Sequence, residues 1–300
     1  MTTTPPFGRA LCAMITPFTE SGALDLDGAQ RLAAHLIDEG CDGLVLSGTT
    51  GESPTTTDAE KSALVRAVRE AVGPTTPLLT GVGTADTHHS VQLTAQAADS
   101  GATGILLTAP YYSRPPQPAV AAHLREVADA SELPVMLYDI PARTGTRIEP
   151  DTLLTLADHP RVLAVKDCSY DFLAAQKLIS RTDLAYYAGC DEHNLALYAV
   201  GGTGYVSTVS NIAARQVRSV LDLFEAGDTS AAAKAQQRLI PLTESMMSSG
   251  LPGTVTAKAL LTELGLPSGR VRAPLLPADA HTTADLRAAY EELRGALSPS

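Results

Sequence analysis

A lysine lies near the end of one apolar segment of this chain. Residues 162–167 read Val-Leu-Ala-Val-Lys-Asp, so Lys166 follows four apolar side chains. Full burial can lower the pKa of a lysine by about 3 to 5 units from its ordinary value of about 10.4. A neutral amine is nucleophilic and can form a Schiff base with a ketone. Taken alone, the segment favours a strand-end lysine paired with Asp167, but the other polar segments reverse that balance.

Two hydroxyls lie between two glycines directly after the apolar segment 43–46, in the stretch Gly48-Thr49-Thr50-Gly51. Glycines let the backbone approach a ligand and turn N–H groups toward an anion. Thr57 and Glu60 then form a capping box, which predicts the start of a helix. The alternative interpretation is a loop that only connects the strand to this helix.

Tyrosines and an arginine lie at the ends of two further apolar segments. Tyr112 follows one of them, and the other ends in Tyr138 with Arg143 just beyond it. A tyrosine hydroxyl can donate and accept a proton, and a guanidinium offers a fork that fits a carboxylate. The alternative is that the tyrosines are core aromatics and Arg143 is a surface charge. Their joint occurrence with Lys166 favours an active site.

Two other segments were candidates for metal or nucleotide chemistry. Residues 189–193 (Gly-Cys-Asp-Glu-His) contain metal-binding residue types, but their spacing matches no known ligand pattern, so we expect no metal. Residues 201–204 (Gly-Gly-Thr-Gly) precede an apolar segment instead of following one, which predicts a tight turn and no dinucleotide site. The other histidines, including His88 and His89, are expected on helix surfaces.

Short apolar segments alternate with amphipathic ones along most of the chain. The eight predicted strands are 11–16, 43–46, 77–80, 105–108, 134–140, 162–167, 184–188 and 204–208. Predicted helices between them include 27–39, 58–72, 87–100, 119–130 and 213–225. This alternation predicts a (β/α)8 TIM barrel, whose chemistry takes place at the carboxyl ends of the strands.

The alternation stops after Gly227, and only helical patterns follow, at 229–248, 254–264 and 282–297. We therefore expect two domains: a barrel with the active site at 1–228, and a C-terminal helical appendage at 229–300.

Composition excludes several classes of function. The net charge is −11 with no Lys/Arg-rich segment, so nucleic-acid binding is not expected. No apolar run approaches the roughly 18 residues of a membrane span, and residues 1–6 do not resemble a secretion signal, which favours the cytoplasm.

The four cysteines never form a CxxC motif and are expected to be reduced core residues: Cys12, Cys41, Cys168 and Cys190.

Four motifs, in this order along the chain, resemble the dihydrodipicolinate synthase / N-acetylneuraminate lyase family of class I aldolases. They are Gly48-Thr49-Thr50-Gly51-Glu52, Pro110-Tyr111-Tyr112, Tyr138-Asp139-Ile140-Pro141-Ala142-Arg143-Thr144-Gly145 and Val165-Lys166-Asp167. The resemblance extends from about Leu11 to the C-terminal helices. Asp139 is a departure, because many members have asparagine there.

The resemblance implies a role for each matched residue. Lys166 would form the Schiff base with pyruvate. Tyr138, Thr49 and Tyr112 would form a proton relay, with Tyr112 reaching across from the neighbouring subunit of a tight dimer. The family further implies a homotetramer built as a dimer of dimers, and chemistry without a metal or organic cofactor.

The resemblance also implies the substrate contacts. Thr49 and Thr50 would hold the pyruvate carboxylate, and Arg143 would hold the carboxylate of an incoming aldehyde. Gly189 and Val206 would complete the substrate-binding site.

Gly-Thr-Thr-Gly favours the synthase over the sialic acid lyase, and Arg143 suits a short acidic aldehyde such as L-aspartate 4-semialdehyde. The expected product is 4-hydroxy-tetrahydrodipicolinate, in lysine and diaminopimelate biosynthesis. The alternatives are a 2-keto-3-deoxy-sugar-acid aldolase or dehydratase, or a non-catalytic keto-acid-binding paralogue.

Regulation is a separate expectation. Lysine-sensitive members bind lysine in a dimer-interface cleft through histidines, an asparagine and a glutamate. The matching positions here are Asp58, Lys61, Ala85 and His89, although a slip of one residue would present Asp86 instead of Ala85. These residues imply an enzyme that is insensitive to lysine.

Overall fold

The computed structural model describes residues 5–295, in which eight parallel strands close into a barrel. Consecutive strands are neighbours, and the last strand pairs with the first. The strands are β1 (Ala10–Ala13), β2 (Gly43–Leu46), β3 (Leu78–Gly81), β4 (Gly104–Thr108), β5 (Val135–Asp139), β6 (Val162–Asp167), β7 (Ala185–Ala188) and β8 (Gly204–Ser207). The predicted TIM barrel with C-terminal helices is confirmed, and each predicted strand overlaps an observed one.

Helices cover the outside of the barrel and continue past it. They are α1 (Leu26–Asp38), α2 (Asp58–Val72), α3 (Thr87–Asp99), α4 (Gln117–Asp129), α5 (Pro141–Thr144), α6 (Pro150–Leu156), α7 (Phe172–Arg181), α8 (Asn194–Ala199), α9 (Ser210–Glu225), α10 (Thr229–Arg238), α11 (Ile240–Met247), α12 (Gly253–Glu263) and α13 (Ala280–Gly295). The predicted capping box is present at the start of α2, where Thr57 and Glu60 satisfy each other's backbone N–H groups.

Nearly all strand residues are buried on both faces, as expected for parallel strands under helices, and Leu163 on β6 is an exposed exception. Alternate side chains point into the barrel, where they form a compact interior cluster that includes Leu11, Val45, Leu106 and Val206. The intervening side chains pack against the helices in a larger outer cluster. Polar residues at the carboxyl ends of the strands therefore lie above a packed, mostly apolar interior.

The helix predicted at 229–248 is wrong, because the structure has two helices there, α10 and α11. The break falls at Leu239, two residues before Pro241. A proline has no N–H for the helical ladder, and its ring clashes with the preceding turn. The last predicted helix, 282–297, overlaps α13. Its final two positions, 296 and 297, lie outside the described residues. We propose that the two domains meet near residue 228, between α9 and α10.

Two histidines correct the expectation that the remaining histidines lie on helix surfaces. His123 is buried and bonds Thr87 through Nδ1 at 2.8 Å, and His159 is buried and bonds Asp129 through Nε2 at 2.9 Å. The four cysteines are free and buried, as predicted. Among residues 5–295, no helix has both the length and the apolar character needed to cross a membrane.

Candidate active site

Lys166 lies inside the barrel near the end of β6, with only 4% of its surface exposed. Its Nζ is 4.1 Å from the centre of the Tyr138 ring, on the neighbouring strand. Burial lowers the pKa of Lys166, and the surrounding thiols and Asp191 oppose this only in part. The lowered pKa favours the neutral, nucleophilic amine.

The simple pairing of Lys166 with Asp167 is wrong. Successive side chains of a strand point to opposite faces, so Asp167 points out of the barrel while Lys166 points in. The Asp167 carboxylate accepts hydrogen bonds from the Ser169 N–H at 2.6 Å and the Tyr186 hydroxyl at 2.8 Å. These partners engage the Asp167 carboxylate on the outer side of the strand, away from the Lys166 amine.

Gly189 and Val206 shape the space around this amine. A Cβ on Gly189 would lie 3.1 Å from Lys166 Cε and 2.4 Å from Cys168 Sγ, so this position excludes any side chain. Val206 is fully buried in the interior cluster that also contains Tyr138. Gly189 therefore lies directly beside the lysine, and Val206 belongs to the interior cluster that includes its neighbour Tyr138.

Tyr138 connects the buried amine to the rim of the barrel. Its hydroxyl accepts a contact from Cys168 Sγ at 3.8 Å, and the nearby Thr49 side chain acts on its pKa in the lowering direction. Burial, with a further contribution from Cys168, raises the pKa of Tyr138 well above its ordinary value. Thr49 itself is exposed, so a proton can pass between a buried neutral phenol and an open surface.

Thr50 and Arg143 supply groups that can hold anions. Thr50 is buried, with its hydroxyl 3.2 Å from that of Thr208 at the end of β8. Arg143 is exposed in the short helix α5, which directly follows β5. Thr50 follows β2 and Arg143 follows β5, so the two residues lie at separate positions on the same rim, where two carboxylates could bind.

Tyr112 is the one predicted catalytic residue that the structure does not bring to Lys166. Its side chain is 93% exposed, and its backbone φ is +72°, in the left-handed region that aromatic residues rarely adopt. Its neighbour Tyr111 is also exposed. Within one chain, the site therefore contains Lys166, Tyr138 and Thr49 without a third relay hydroxyl from Tyr112.

Sequence reasoning missed the role of Asp191, which follows β7. Its buried carboxylate accepts hydrogen bonds from the Ser207 hydroxyl and from the backbone N–H groups of Thr208 and Val209, both at 3.1 Å. It therefore ties the end of β7 to the end of β8. Within residues 5–295, no group of three or more metal-binding side chains comes together. A strand-end position alone could not distinguish this structural acid from a ligand.

Asp139 is an acid in an unfavourable place. It is buried, its Oδ1 accepts from the Ile148 N–H at 2.9 Å, and the nearest cation, Arg147, is 3.8 Å from its Oδ2. Arg147 lies closer to Asp171, at 3.0 Å. Burial raises the pKa of Asp139 to about 7, and the Asp167 carboxylate on the paired strand adds to the rise. Asp139 thus anchors the segment that follows Arg143 through the Ile148 N–H, and its carboxyl stays protonated below about pH 7.

The fold is a TIM barrel, and a buried lysine amine beside a tyrosine is an arrangement typical of Schiff-base-forming lyases. The profile of the dihydrodipicolinate synthetase family matches residues 6–293. The 4-hydroxy-tetrahydrodipicolinate synthase 1 of Streptomyces coelicolor is 70% identical over 288 residues, which covers 96% of this chain and 94% of that protein. The corresponding synthase of Acidothermus cellulolyticus is 51% identical, covering 94% and 91%. The chain belongs to the dihydrodipicolinate synthetase family.

Solved structures agree with this assignment. A dihydrodipicolinate synthase from Cyanidioschyzon merolae, solved with lysine bound, superposes with a TM-score of 0.93 at 34% identity, covering 96% of this chain and 99% of that one. A dihydrodipicolinate synthase from Bacillus anthracis gives a TM-score of 0.92 at 35% identity, covering 98% and 99%.

The first prediction concerns Asp139→Asn, which keeps the acceptor for the Ile148 N–H and removes the acid. Unfolded Asp139 ionises near its ordinary pKa of 3.8, whereas the folded carboxyl, with a pKa of about 7, keeps its proton. The folded state therefore binds more protons between these values, and wild-type stability falls as the pH rises through them. The variant avoids this fall, so its advantage grows across that window by up to about 4 kcal/mol and is complete above about pH 7.

Urea unfolding of both proteins at several pH values and one protein concentration measures this difference. Asp171→Asn is the matched control, because the Ala174 N–H and the Arg147 side chain lower the pKa of Asp171, so the sign of its pH dependence is opposite. A difference between wild type and Asp139→Asn that is constant with pH would contradict the assignment.

Proposed function

We propose that this chain is a 4-hydroxy-tetrahydrodipicolinate synthase, a lyase that condenses pyruvate with L-aspartate 4-semialdehyde in lysine and diaminopimelate biosynthesis. The observation that carries the proposal is the buried Lys166 amine against Tyr138, with Thr49 and Arg143 on the same rim. Similarity to curated synthases favours this reaction over a sugar-acid aldolase. A non-catalytic paralogue would be free to lose one of these residues, and all of them are present.

In the proposed first half-reaction, Lys166 attacks the ketone carbon of pyruvate and the adduct loses water to give an iminium. Tyr138 supplies and takes back protons, and Thr49 links it to the rim. Thr49 and Thr50 hold the pyruvate carboxylate with hydroxyl and backbone N–H donors. The iminium is an electron sink, so this chemistry needs neither a metal nor an organic cofactor.

In the second half-reaction, a proton leaves the methyl carbon of the bound pyruvate, and the resulting enamine attacks the aldehyde carbon. Arg143 orients the aldehyde by its carboxylate, since a guanidinium binds a carboxylate in a bidentate manner. A protein of net charge −11 needs local positive potential to bind two anions. Arg143 and the loop N–H groups provide it.

The proposed enzyme is a cytoplasmic homotetramer, a dimer of tight dimers. The exposed Tyr112 and Tyr111 support a tight interface in which Tyr112 enters the active site of the partner and completes the relay. A second exposed apolar group, Tyr170, Phe172 and Leu173, supports the contact between dimers.

The second prediction tests the nucleophile. Pyruvate with borohydride should reduce the Schiff base and attach the pyruvate carbons irreversibly to Lys166, as read by intact mass and peptide mapping. Lys258, the other deeply buried lysine, is the internal control and should stay unlabelled, because its ammonium is paired with Glu52 at 2.6 Å. Undiminished labelling of Lys166→Ala would show that another amine is the nucleophile.

The third prediction separates the two substrates. Arg143→Ala should raise the KM for the aldehyde by one or more powers of ten, since a hydrogen bond to a charged group contributes roughly 1.5 to 3 kcal/mol, while borohydride trapping with pyruvate persists. Tyr138→Phe is the contrasting variant and should lower kcat by about 10²- to 10⁴-fold through both half-reactions. Equal loss of trapping and of aldehyde use in Arg143→Ala would refute this division.

The fourth prediction is insensitivity to millimolar lysine. Lys61 already directs its ammonium to the Ser53 and Thr56 carbonyl oxygens, and Asp58 is paired with His89 at 2.9 Å. The Lys61 cation repels the ammonium groups of a lysine ligand. Of the acceptors that could bind such a group, Asp58 is already paired, and Ala85 offers no side-chain acceptor. Losing two charged hydrogen bonds weakens binding by about two to four powers of ten.

Steady-state rates titrated with lysine at sub-saturating pyruvate measure this sensitivity. Strong, saturable inhibition at sub-millimolar lysine would mean that a lysine site is built from other residues.

A further inference from the structure

The loop that carries Thr49 and Thr50 is held from the C-terminal helices. The Thr254 hydroxyl, in the first turn of α12, lies 3.0 Å from the Thr50 carbonyl oxygen and 3.3 Å from that of Thr49. One buried hydroxyl is therefore shared between the carbonyl oxygens of both proposed carboxylate-binding residues, in the peptides that follow Thr49 and Thr50. The direction of these peptides sets where the Thr49 and Thr50 side chains point.

A second contact holds the same loop two residues further on. Glu52 is buried, and its carboxylate lies 2.6 Å from Lys258 Nζ and accepts the Arg272 N–H at 2.8 Å. Lys258 also donates to the Arg270 carbonyl oxygen at 2.8 Å. Thr254 and Lys258 are four residues apart on α12, so they lie on one face of that helix.

The loop conformation itself needs such support. Glu52 has a φ of +56°, in the left-handed region that side-chain-bearing residues rarely adopt. Such a conformation persists only when its surroundings hold it, and here the ion pair and the Arg272 N–H do so. The charge of Lys258 also offsets a carboxylate that would otherwise repel an anion at Thr49 and Thr50.

We propose that Thr254 and the Glu52–Lys258 pair are positioning residues for the keto acid: they act through the loop and do not touch the substrate. This inference rests on the proposed function, because it assigns pyruvate to Thr49 and Thr50. It makes α12 a part of the pyruvate site although the helix lies outside the barrel.

Thr254→Val tests the first contact. The change removes one hydroxyl with little change in volume, and the loss of its hydrogen bond should raise the KM for pyruvate by about three- to tenfold. The KM for the aldehyde should stay within about twofold, because Arg143 is on another loop. The half-saturating pyruvate concentration for borohydride trapping should rise by the same factor as the KM.

Thr256→Val is the matched control. Thr256 is buried on the same helix, but its hydroxyl bonds the Met246 and Gly253 carbonyl oxygens, away from the loop. It should lose stability as Thr254→Val does and keep the wild-type KM for pyruvate. Thr254→Ser should also keep the wild-type KM for pyruvate, since serine retains the hydroxyl donor that valine lacks. Equal effects of the two valine substitutions on pyruvate binding, or none from Thr254→Val, would overturn the proposal.

Lys258→Met tests the second contact by leaving the Glu52 carboxylate without its cation. The KM for pyruvate should rise more than in Thr254→Val, and Glu52→Gln in the same chain should bring it back toward wild type. A folded Lys258→Met with wild-type pyruvate binding would overturn the role of the pair. If this variant does not fold, the Thr254 series still decides. Absence of trapping in the wild type would instead refute the proposed function.

Discussion

Removal of one lysine amine from water is the constraint on which the rest of this structure depends. A buried ammonium is costly, and a carboxylate within reach would restore the charge. The barrel therefore gives each nearby acid another partner: Asp167 turns outward to Tyr186, and Asp191, which follows β7, accepts from donors at the end of β8. Gly189 leaves no room for a side chain beside Lys166, so the aliphatic stem of the lysine is packed while its amine stays free for a substrate.

A neutral nucleophile cannot attract an anionic keto acid by its own charge, so the attraction has to come from the rim. Hydroxyl and N–H donors on loops are directional, and a small rotation of a peptide moves them off the substrate. This requirement explains why a loop with a left-handed residue, Glu52, is held by an ion pair and by Thr254. Burial in the barrel thus favours a nucleophilic amine, and fixation of the loop by α12 keeps the donors directed at the keto acid.

The strands and the central pair of the site could be predicted because their signals are local. Apolar segments bounded by glycine and proline identified the strands, and parallel neighbours necessarily bring Tyr138 and Lys166 to one rim. Non-local features could not be predicted. Glu52 and Lys258 are far apart in sequence and share no pattern, and the burial of His123 depends on which helix face its neighbours cover. The single helix predicted at 229–248 is wrong because Pro241 lacks the N–H that a continuous helix would need there.

The conformation of Tyr112 is unfavourable in an isolated chain. A strained backbone and a ring that is 93% exposed both cost free energy in an isolated chain. Burial of the ring in a second copy would offset both costs, so the proposed dimer contact would stabilise the loop as well as complete the relay. Lys166 and Tyr138 need no partner to meet, since adjacent strands position them. In the proposed arrangement the barrel alone would supply the nucleophile, and only the assembly would supply the complete proton relay.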